Sequence, residues 1–339
     1  MHSTNKKILI TGASGFIGSF LVEEALAQGF EVWAGVRGTS KRDFLSDPRI
    51  HFFNLDLSDK RRLLQQLEAH VGEHGAFDCV VHAAGLTKCL DPADFMRVNA
   101  DGTQRLAEAL VGAKALSGRF VFLSSLSVYG AIHEDDALPI TLSDEPRPNT
   151  AYAASKLEAE RRLKEIDGLR YVILRPTGVY GPRERDYFLM AQSIGRHVDF
   201  AVGYRPQVIT FVYVRDVVQA AFLALEKGTE GTAYALTDGA EYSSRAFSDL
   251  LQREMGVRGV LHIKAPLWIL RLVCAAGEQI ARRTKKPTAL NNDKYAILSQ
   301  RNWRADISPA VAELGYCPAW TLARGVAETV AWYKDNGWL

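Results

Sequence analysis

The feature that most constrains this chain is a glycine turn set between an apolar run and an apolar helical pattern. From Lys7 it reads K-I-L-I-T-G-A-S-G-F-I-G. Ile8 to Thr11 are apolar or β-branched and predict a short buried strand. Gly12, Gly15 and Gly18 follow at a spacing of three. Phe16-Ile17 and Phe20-Leu21-Val22 then open a helical pattern that runs to Gly29, a natural helix stop. Strand, glycine turn and helix in this order form a phosphate cradle. The turn lets backbone approach a pyrophosphate without a Cβ in the way, and the free N–H groups of the helix start face the anion. The expectation is a dinucleotide site.

The next segments alternate in the same sense. Glu31–Val36, Ile50–Leu57, Phe77–Ala84, Arg119–Leu123 and Tyr171–Pro176 read as strands. Asp59 onward, Asp94–Leu116 and Tyr152–Ile166 read as helices. The strands are nearly continuous apolar runs, as in a parallel sheet covered on both faces. The predicted fold is α/β, a Rossmann-type doubly wound parallel sheet over residues 1–182. Residues 183–339 form a smaller, discontinuous substrate lobe, with some segments returning to the core. In that lobe Asp216–Glu226, Ser244–Met255, Ala310–Leu314 and Leu322–Tyr333 read as helical. Pro266–Ala281 is an apolar helix ended by Arg282-Arg283, expected as a core or lid helix, with contact to a membrane surface as the alternative. Ala131–Thr150, rich in acids and prolines, reads as a surface flap.

Composition narrows the class. The 339 residues are 47% hydrophobic and 24% charged, as in a soluble globular protein. A net charge of +2 offers no basic field for nucleic acid. Met1–Lys7 is short and polar, so the expected compartment is the cytoplasm. Cys79, Cys89, Cys274 and Cys317 lack metal or disulfide spacing and are expected as reduced packing residues. His70 and His74 read as a solvated helix end, and no metal site is expected.

At the end of the second strand there is no acidic side chain to take ribose hydroxyls. Arg37 stands there, with Lys41 and Arg42 beyond. A guanidinium grips a 2′-phosphate through paired charge-assisted bonds, which favours NADP(H), with NAD as the alternative. Asp56 and Leu57 can bracket an adenine, and Ala83-Ala84-Gly85 is small enough to pass a flat cofactor closely. Tyr152 and Lys156 share a helix face at i,i+4. A phenol ordinarily titrates near 10. A neighbouring ammonium together with an oxidised nicotinamide would favour the phenolate. Tyr152 can then exchange a proton with a substrate oxygen, and a serine of Ser124–Ser127 can polarise that oxygen.

T-G-A-S-G-F-I-G (Thr11–Gly18), D-L (Asp56-Leu57), H-A-A-G (His82–Gly85) and V-N-A-D-G-T (Val98–Thr103) form one group of motifs. S-S-L-S-V-Y-G, Y-A-A-S-K, R-P-T-G-V-Y-G-P (Arg175–Pro182), V-Y-V-R-D-V (Val212–Val217) and L-G-Y-x-P (Leu314–Pro318) complete the set. Over nearly its whole length the chain resembles the extended short-chain dehydrogenases/reductases. That family includes nucleotide-sugar epimerases and dehydratases, 3β-hydroxysteroid dehydrogenases and dihydroflavonol reductases. The resemblance implies Ser125, Tyr152 and Lys156 as catalytic residues, with Asn99 supporting the site. Lys156 would also reach the nicotinamide ribose. It implies cofactor contacts from Gly12, Ser14, Gly15, Phe16, Ile17, Gly18, Arg37, Lys41, Asp56, Leu57, Ala83, Ala84, Gly85, Pro176, Thr177 and Val179. Thr87, Ser127, Tyr180 and Arg183 are the substrate-side candidates, and a homodimer is expected.

Two departures point within the family. Sugar dehydratases resembling this chain carry an Asp-Glu pair where Leu126 and Ser127 stand. Nucleotide-sugar enzymes usually carry an arginine where Ile209 stands, seven before Asp216; Arg205, Arg183 and Arg185 are the candidate replacements. These departures favour the reductase and hydroxysteroid-like branch. The expected activity is NAD(P)-dependent interconversion of a secondary alcohol and a ketone on an apolar or lipid-like substrate. The alternatives are a nucleotide-sugar epimerase/dehydratase and a non-catalytic dinucleotide-binding protein.

Overall fold

The computed structural model describes residues 6–285, 288 and 291–339, so Met1–Asn5 of the polar start lie outside the described residues, as does the side chain of Arg282. Strands β1 (Lys7–Thr11), β2 (Glu31–Val36), β3 (His51–Asn54), β4 (Phe77–His82), β5 (Leu116–Leu123) and β6 (Tyr171–Pro176) build the sheet. A seventh strand, Ala233–Leu236, returns from late in the chain to pair with β6. The order is Ala233–Leu236, β6, β5, β4, β1, β2, β3, and every pairing is parallel.

Strand periodicity divides the core into two layers. Ile8 and Ile10 point into one cluster with Leu21, Val22 and Ala25 of helix α1 (Phe16–Ala27) and with Val217 and Ala221 of helix Val214–Lys227. Leu9 points the other way, onto Leu63, Leu67, Leu106 and Leu110. Both faces of β1 are therefore dry, which accounts for its unbroken apolar run. Asp59 and Thr150 cap their helices by accepting the backbone N–H of Arg62 and Ala153, each at 3.0 Å.

Several sequence expectations change in three dimensions. The helix expected over 94–116 is a three-residue turn Ala93–Phe95, a π-helical segment Met96–Asp101 and an α-helix Gly102–Gly112. The chain then enters β5 at Leu116. The third strand stops at Asn54, because Leu55 makes a last bond to Val36 O before the chain turns away. Residues 131–150 lie largely at the surface, as expected, and are pinned to the late part of the chain. Ile140 is buried and its backbone exchanges bonds with Arg304 and Asp306, while Asn302 Nδ2 donates to Leu138 O. Ala310–Leu314 is a π turn. Helix Leu267–Thr284 buries only Leu270, Cys274 and Ala281 among its described side chains, so it is not a core helix. Cys79 and Cys274 are buried packing residues, but Cys317 is exposed.

His70 is the clearest correction. It is not solvated: its ring stacks on Phe77 at 4.2 Å and meets Trp33 edge-on at 4.4 Å. Its Nε2 is buried without a partner among the described residues. Burial and the nearby His74 and Lys7 push its pKa down to about 4. A depressed imidazole contributes stability in full above its unfolded pKa near 6.5, and that contribution is lost as pH falls toward 4. His70→Phe keeps the stacking and removes the proton site. Denaturant titrations between pH 7 and 4.5 are expected to show a stability slope shallower by about 1.4 kcal/mol per pH unit. An unchanged slope would mean that His70 titrates normally.

Candidate active site

A cavity of about 280 Å3 runs along the carboxyl ends of β1, β2 and β4. Its lining includes Gly12, Ser14, Gly15, Arg37, Asp56, Leu57, Ala83, Ala84 and Gly85. Glycines let the strand ends close up at the floor of this groove. Gly12 sits at φ +68°, and a Cβ there would lie 2.7 Å from the Ala83–Ala84 backbone. Gly15 is the N-cap of α1 and has no side chain to shield the helix start. Phe16 and Ile17 lie in the first turn, where backbone N–H groups lack intrahelical acceptors; their side chains pack against the core. Gly18 does not line the cavity. It is a packing glycine, since a Cβ would fall 2.0 Å from Gly12 O.

Arg37 is exposed at the end of β2, and its N–H donates to Ser40 Oγ at 3.1 Å. Lys41 is exposed outside the cavity lining. Arg42 lies over the Phe52 ring at 4.0 Å. Asp56 accepts from the N–H and hydroxyl of Ser58 at 2.9 and 2.6 Å, which holds its pKa below the usual carboxylate value. Leu57 also receives the Arg105 guanidinium on its carbonyl.

Tyr152 stands in the first turn of helix Ala151–Lys164, with its phenol facing Ser125. Ser125 Oγ accepts from Ser127 N–H at 3.2 Å and from Ser127 Oγ at 2.9 Å. Its own proton is thereby left to be given toward the phenol or a substrate oxygen. Ser127, expected on the substrate side, instead orients Ser125. Lys156 Nζ donates to Leu123 O at 2.8 Å and sits 4.8 Å from the Phe122 ring centroid. Burial lowers the Lys156 pKa to about 8, opposed by Glu160. Burial raises the Tyr152 phenol to about 12, partly offset by Ser125. Among the protein's own groups burial outweighs Ser125 and keeps Tyr152 protonated at neutral pH; the expected depression also calls on an oxidised nicotinamide.

Asn99 reaches this region because the π-helical segment turns it inward. Its Oδ1 accepts from Leu86 N–H at 2.7 Å, and its Nδ2 donates to Leu86 O and Ser155 Oγ, both at 3.0 Å. It therefore clamps the backbone after Gly85 to the Tyr152 helix. Beside it runs a buried chain: Thr11 Oγ1 to His82 Nδ1 at 2.6 Å, and His82 Nε2 to Thr103 Oγ1 at 2.9 Å. Thr103 donates onward to Asn99 O at 2.6 Å. That direction makes Nε2 the protonated nitrogen of a neutral ring. Burial agrees, holding the His82 pKa down to about 3.

The remaining candidates divide. Pro176 ends β6; Thr177 donates to Thr210 O at 3.1 Å; Val179 pairs with Val212. Thr87 is exposed just beyond Leu86. Tyr180 is fully buried among Tyr187, Phe211, Tyr213 and Phe247, so it is core and not a substrate contact. Arg183 is drawn away to α1, where it donates to Ser19 Oγ at 2.9 Å and pairs with Glu23. Arg185 lies toward Trp338. Sequence reasoning passed over Ser155 and His82, although both stand inside motifs it used. It also missed Asp293, whose carboxylate accepts from the N–H groups of Ala151 and Tyr152 at 3.2 and 3.3 Å. Nothing local to residue 293 announces that contact.

The sheet order and the groove define a Rossmann-type dinucleotide enzyme. The model of the NAD dependent epimerase/dehydratase family matches residues 8–236, and the chain belongs to that family, within the NAD(P)-dependent extended short-chain dehydrogenases/reductases. The GDP-6-deoxy-D-mannose reductase of Pseudomonas aeruginosa is 29% identical over 73% of this chain and 79% of its own length. Sterol demethylase protein B of Methylococcus capsulatus is 28% identical over 97% of this chain and 98% of its own. The solved UDP-glucose 4-epimerase of Thermus thermophilus, in complex with NAD, is similar with a TM-score of 0.75 and 26% identity, covering 97% of this chain and 99% of that one. Other relatives are named as dTDP-glucose 4,6-dehydratases, and solved neighbours bind NAD. No helix among the described residues is long and apolar enough to cross a membrane.

Proposed function

We propose that this enzyme interconverts a secondary alcohol and a ketone on an apolar substrate, with NADP(H) as cofactor. The observation that carries the reading is that Tyr152 faces Ser125 from the helix that also carries the buried Lys156, bonded to Leu123 O, where dehydration has no equipment. Leu126 is buried and apolar, and Ser127 is engaged with Ser125, at the two positions where dehydratases carry acid and base. Ile209 is an apolar residue on a short strand, and two of the three candidate replacements for the diphosphate arginine, Arg183 and Arg185, are directed elsewhere, while Arg205 is exposed. The end-to-end likeness to a protein named for sterol demethylation supports an apolar substrate class.

Gly12, Gly15 and the start of α1 would hold the pyrophosphate of a bound dinucleotide, Asp56 and Leu57 its adenosine side and Lys156 its ribose; the nicotinamide would supply the hydride-transfer chemistry. In ketone reduction Tyr152, protonated at neutral pH, gives its proton to the carbonyl oxygen, and Ser125 donates a hydrogen bond to the same oxygen. We place the boundary between the cofactor part and the substrate lobe near residue 182. The reading is tested by following NADPH oxidation with apolar ketones beside nucleotide sugars. Turnover of an apolar ketone is expected; epimerisation of a nucleotide sugar with no ketone turnover would overturn it.

Arg37 carries the cofactor preference. Arg37→Asp is expected to weaken NADP(H) binding by about 10–150-fold, the worth of one or two charge-assisted bonds. NAD(H) binding should change far less. Fluorescence titration of both cofactors checks this, and tighter wild-type binding of NAD would remove the role given to Arg37.

A further inference from the structure

Helix Leu267–Thr284 is apolar on two sides. Leu270, Cys274 and Ala281 form the packed stripe. Trp268, Leu272 and Ile280 lie away from it and are 55–64% exposed. A helix that merely covers a protein core needs one apolar stripe. The chain enters this helix through Pro266 from strand Leu261–Ala265, which pairs with Val198–Val202 so that Ile263 lies beside Phe200. Phe200, Leu261 and the nearby Tyr204 are 61–65% exposed, and Tyr204 carries the Lys264 ammonium over its ring at 5.5 Å. Exposed aromatic and aliphatic side chains thus continue from the ribbon into the helix.

Charge identifies the occupant. Between Arg258 and Lys286 the sequence carries seven Lys or Arg and a single carboxylate, Glu278, in a chain whose net charge is only +2. Lys264, Arg271, Arg283 and Lys285 are exposed. We propose that this face docks on the surface of an anionic lipid bilayer, with Trp268 and Leu272 inserted at the headgroup level. An apolar interior beneath a negative surface matches both features at once. A second copy of this chain matches only the first, because it would set one cationic cluster against another.

The position bears on the site. Helix Asn292–Ser299 packs on Leu267–Thr284, and its Asp293 is bonded to the helix start that carries Tyr152. Docking would bring the lobe around the candidate active site to the lipid surface.

The test is sedimentation of the full chain with vesicles of phosphatidylcholine alone or mixed with phosphatidylglycerol, at low and high salt. Binding to the mixed vesicles is expected to exceed binding to the neutral ones by at least about tenfold and to weaken with salt, as screened electrostatics require. Trp268→Glu with Leu272→Glu should lower it by at least about tenfold, since each buried methylene counts. Arg271→Gln alone should lower it by about fivefold, one cation's share. This milder variant keeps the test open if the double variant folds poorly. Vesicle binding is read without turnover, so it does not stand or fall with the chemistry proposed above. Absence of wild-type binding would overturn the proposal, as would variants that bind equally well. So would a wild-type dimer that Leu272→Glu splits without any vesicle binding.

Discussion

Tyr152→Phe is expected to lower kcat by about 10²–10⁴-fold, the usual worth of a positioned general acid. Cofactor binding should stay within about twofold, since one hydroxyl at the substrate end is removed and the phosphate cradle is untouched. In the proposed reaction the phenol moves the proton: it is partly buried, faces Ser125 and is held protonated with a pKa pushed up to about 12. Ser125 accepts both hydrogen bonds from Ser127, which leaves its own proton to be donated. The pH dependence follows with a definite sign. Ketone reduction needs the protonated phenol and the Lys156 ammonium, so it should hold steady below pH 8 and fall as Lys156 deprotonates. Alcohol oxidation needs the phenolate and should rise with pH until Lys156 is lost. Steady-state kinetics in both directions check this. Undiminished turnover by Tyr152→Phe would end the role assignment.

Glu160→Leu is expected to destabilise the fold by about 3–5 kcal/mol, because it strands a buried guanidinium. Arg175 reaches Glu160 through Nε at 3.0 Å and again through Nη2, and both side chains are almost fully buried. Ser124 also donates to Glu160, and Arg175 Nη1 donates to the Tyr129 hydroxyl at 2.6 Å. The pair therefore ties β6 to the helix carrying Tyr152 and to the serine-rich turn after β5. Replacing both partners, Glu160→Leu with Arg175→Met, should restore most of the loss, since a dry apolar pair carries no unmet desolvation cost. Denaturant unfolding of the two variants decides the point; a double variant as unstable as the single one would assign the effect to packing. Glu160→Gln has a separate signature. It removes the charge that opposes the desolvation of Lys156, so the alkaline limb of the reduction profile should move below pH 8.

Much of the fold was legible because its signals are local. Buried parallel strands must be apolar along their length, and β1, β2 and β6 read that way. A glycine that lets a helix start against a strand end cannot be replaced, as the contact of Gly18 with Gly12 makes plain. Tyr152 and Lys156 were legible because four residues along a helix return to one face. Ser125 was singled out from Ser124 and Ser127 by the family resemblance, and the structure sets it facing the Tyr152 phenol.

Other assignments depended on partners distant in the chain. Tyr180 and Arg183 follow Pro176 closely and read as substrate residues, yet one is sealed in an aromatic core and the other is held by Ser19 and Glu23 of α1. His70 reads as solvated from its polar neighbours, but Trp33 and Phe77 close over it.

The sequence alone determined the alternation of strand and helix, the glycine turn between the first strand and helix, and the shared helix face of Tyr152 and Lys156. Those depend on periodicity and on steric limits at single residues. Only the tertiary structure decided which polar side chains serve the site and which serve the scaffold. It also decided that Asp293, 142 residues from Ala151, caps the helix that presents Tyr152. A side chain's role depends on its neighbours in space, and burial sets both its charge state and its hydrogen-bond partners.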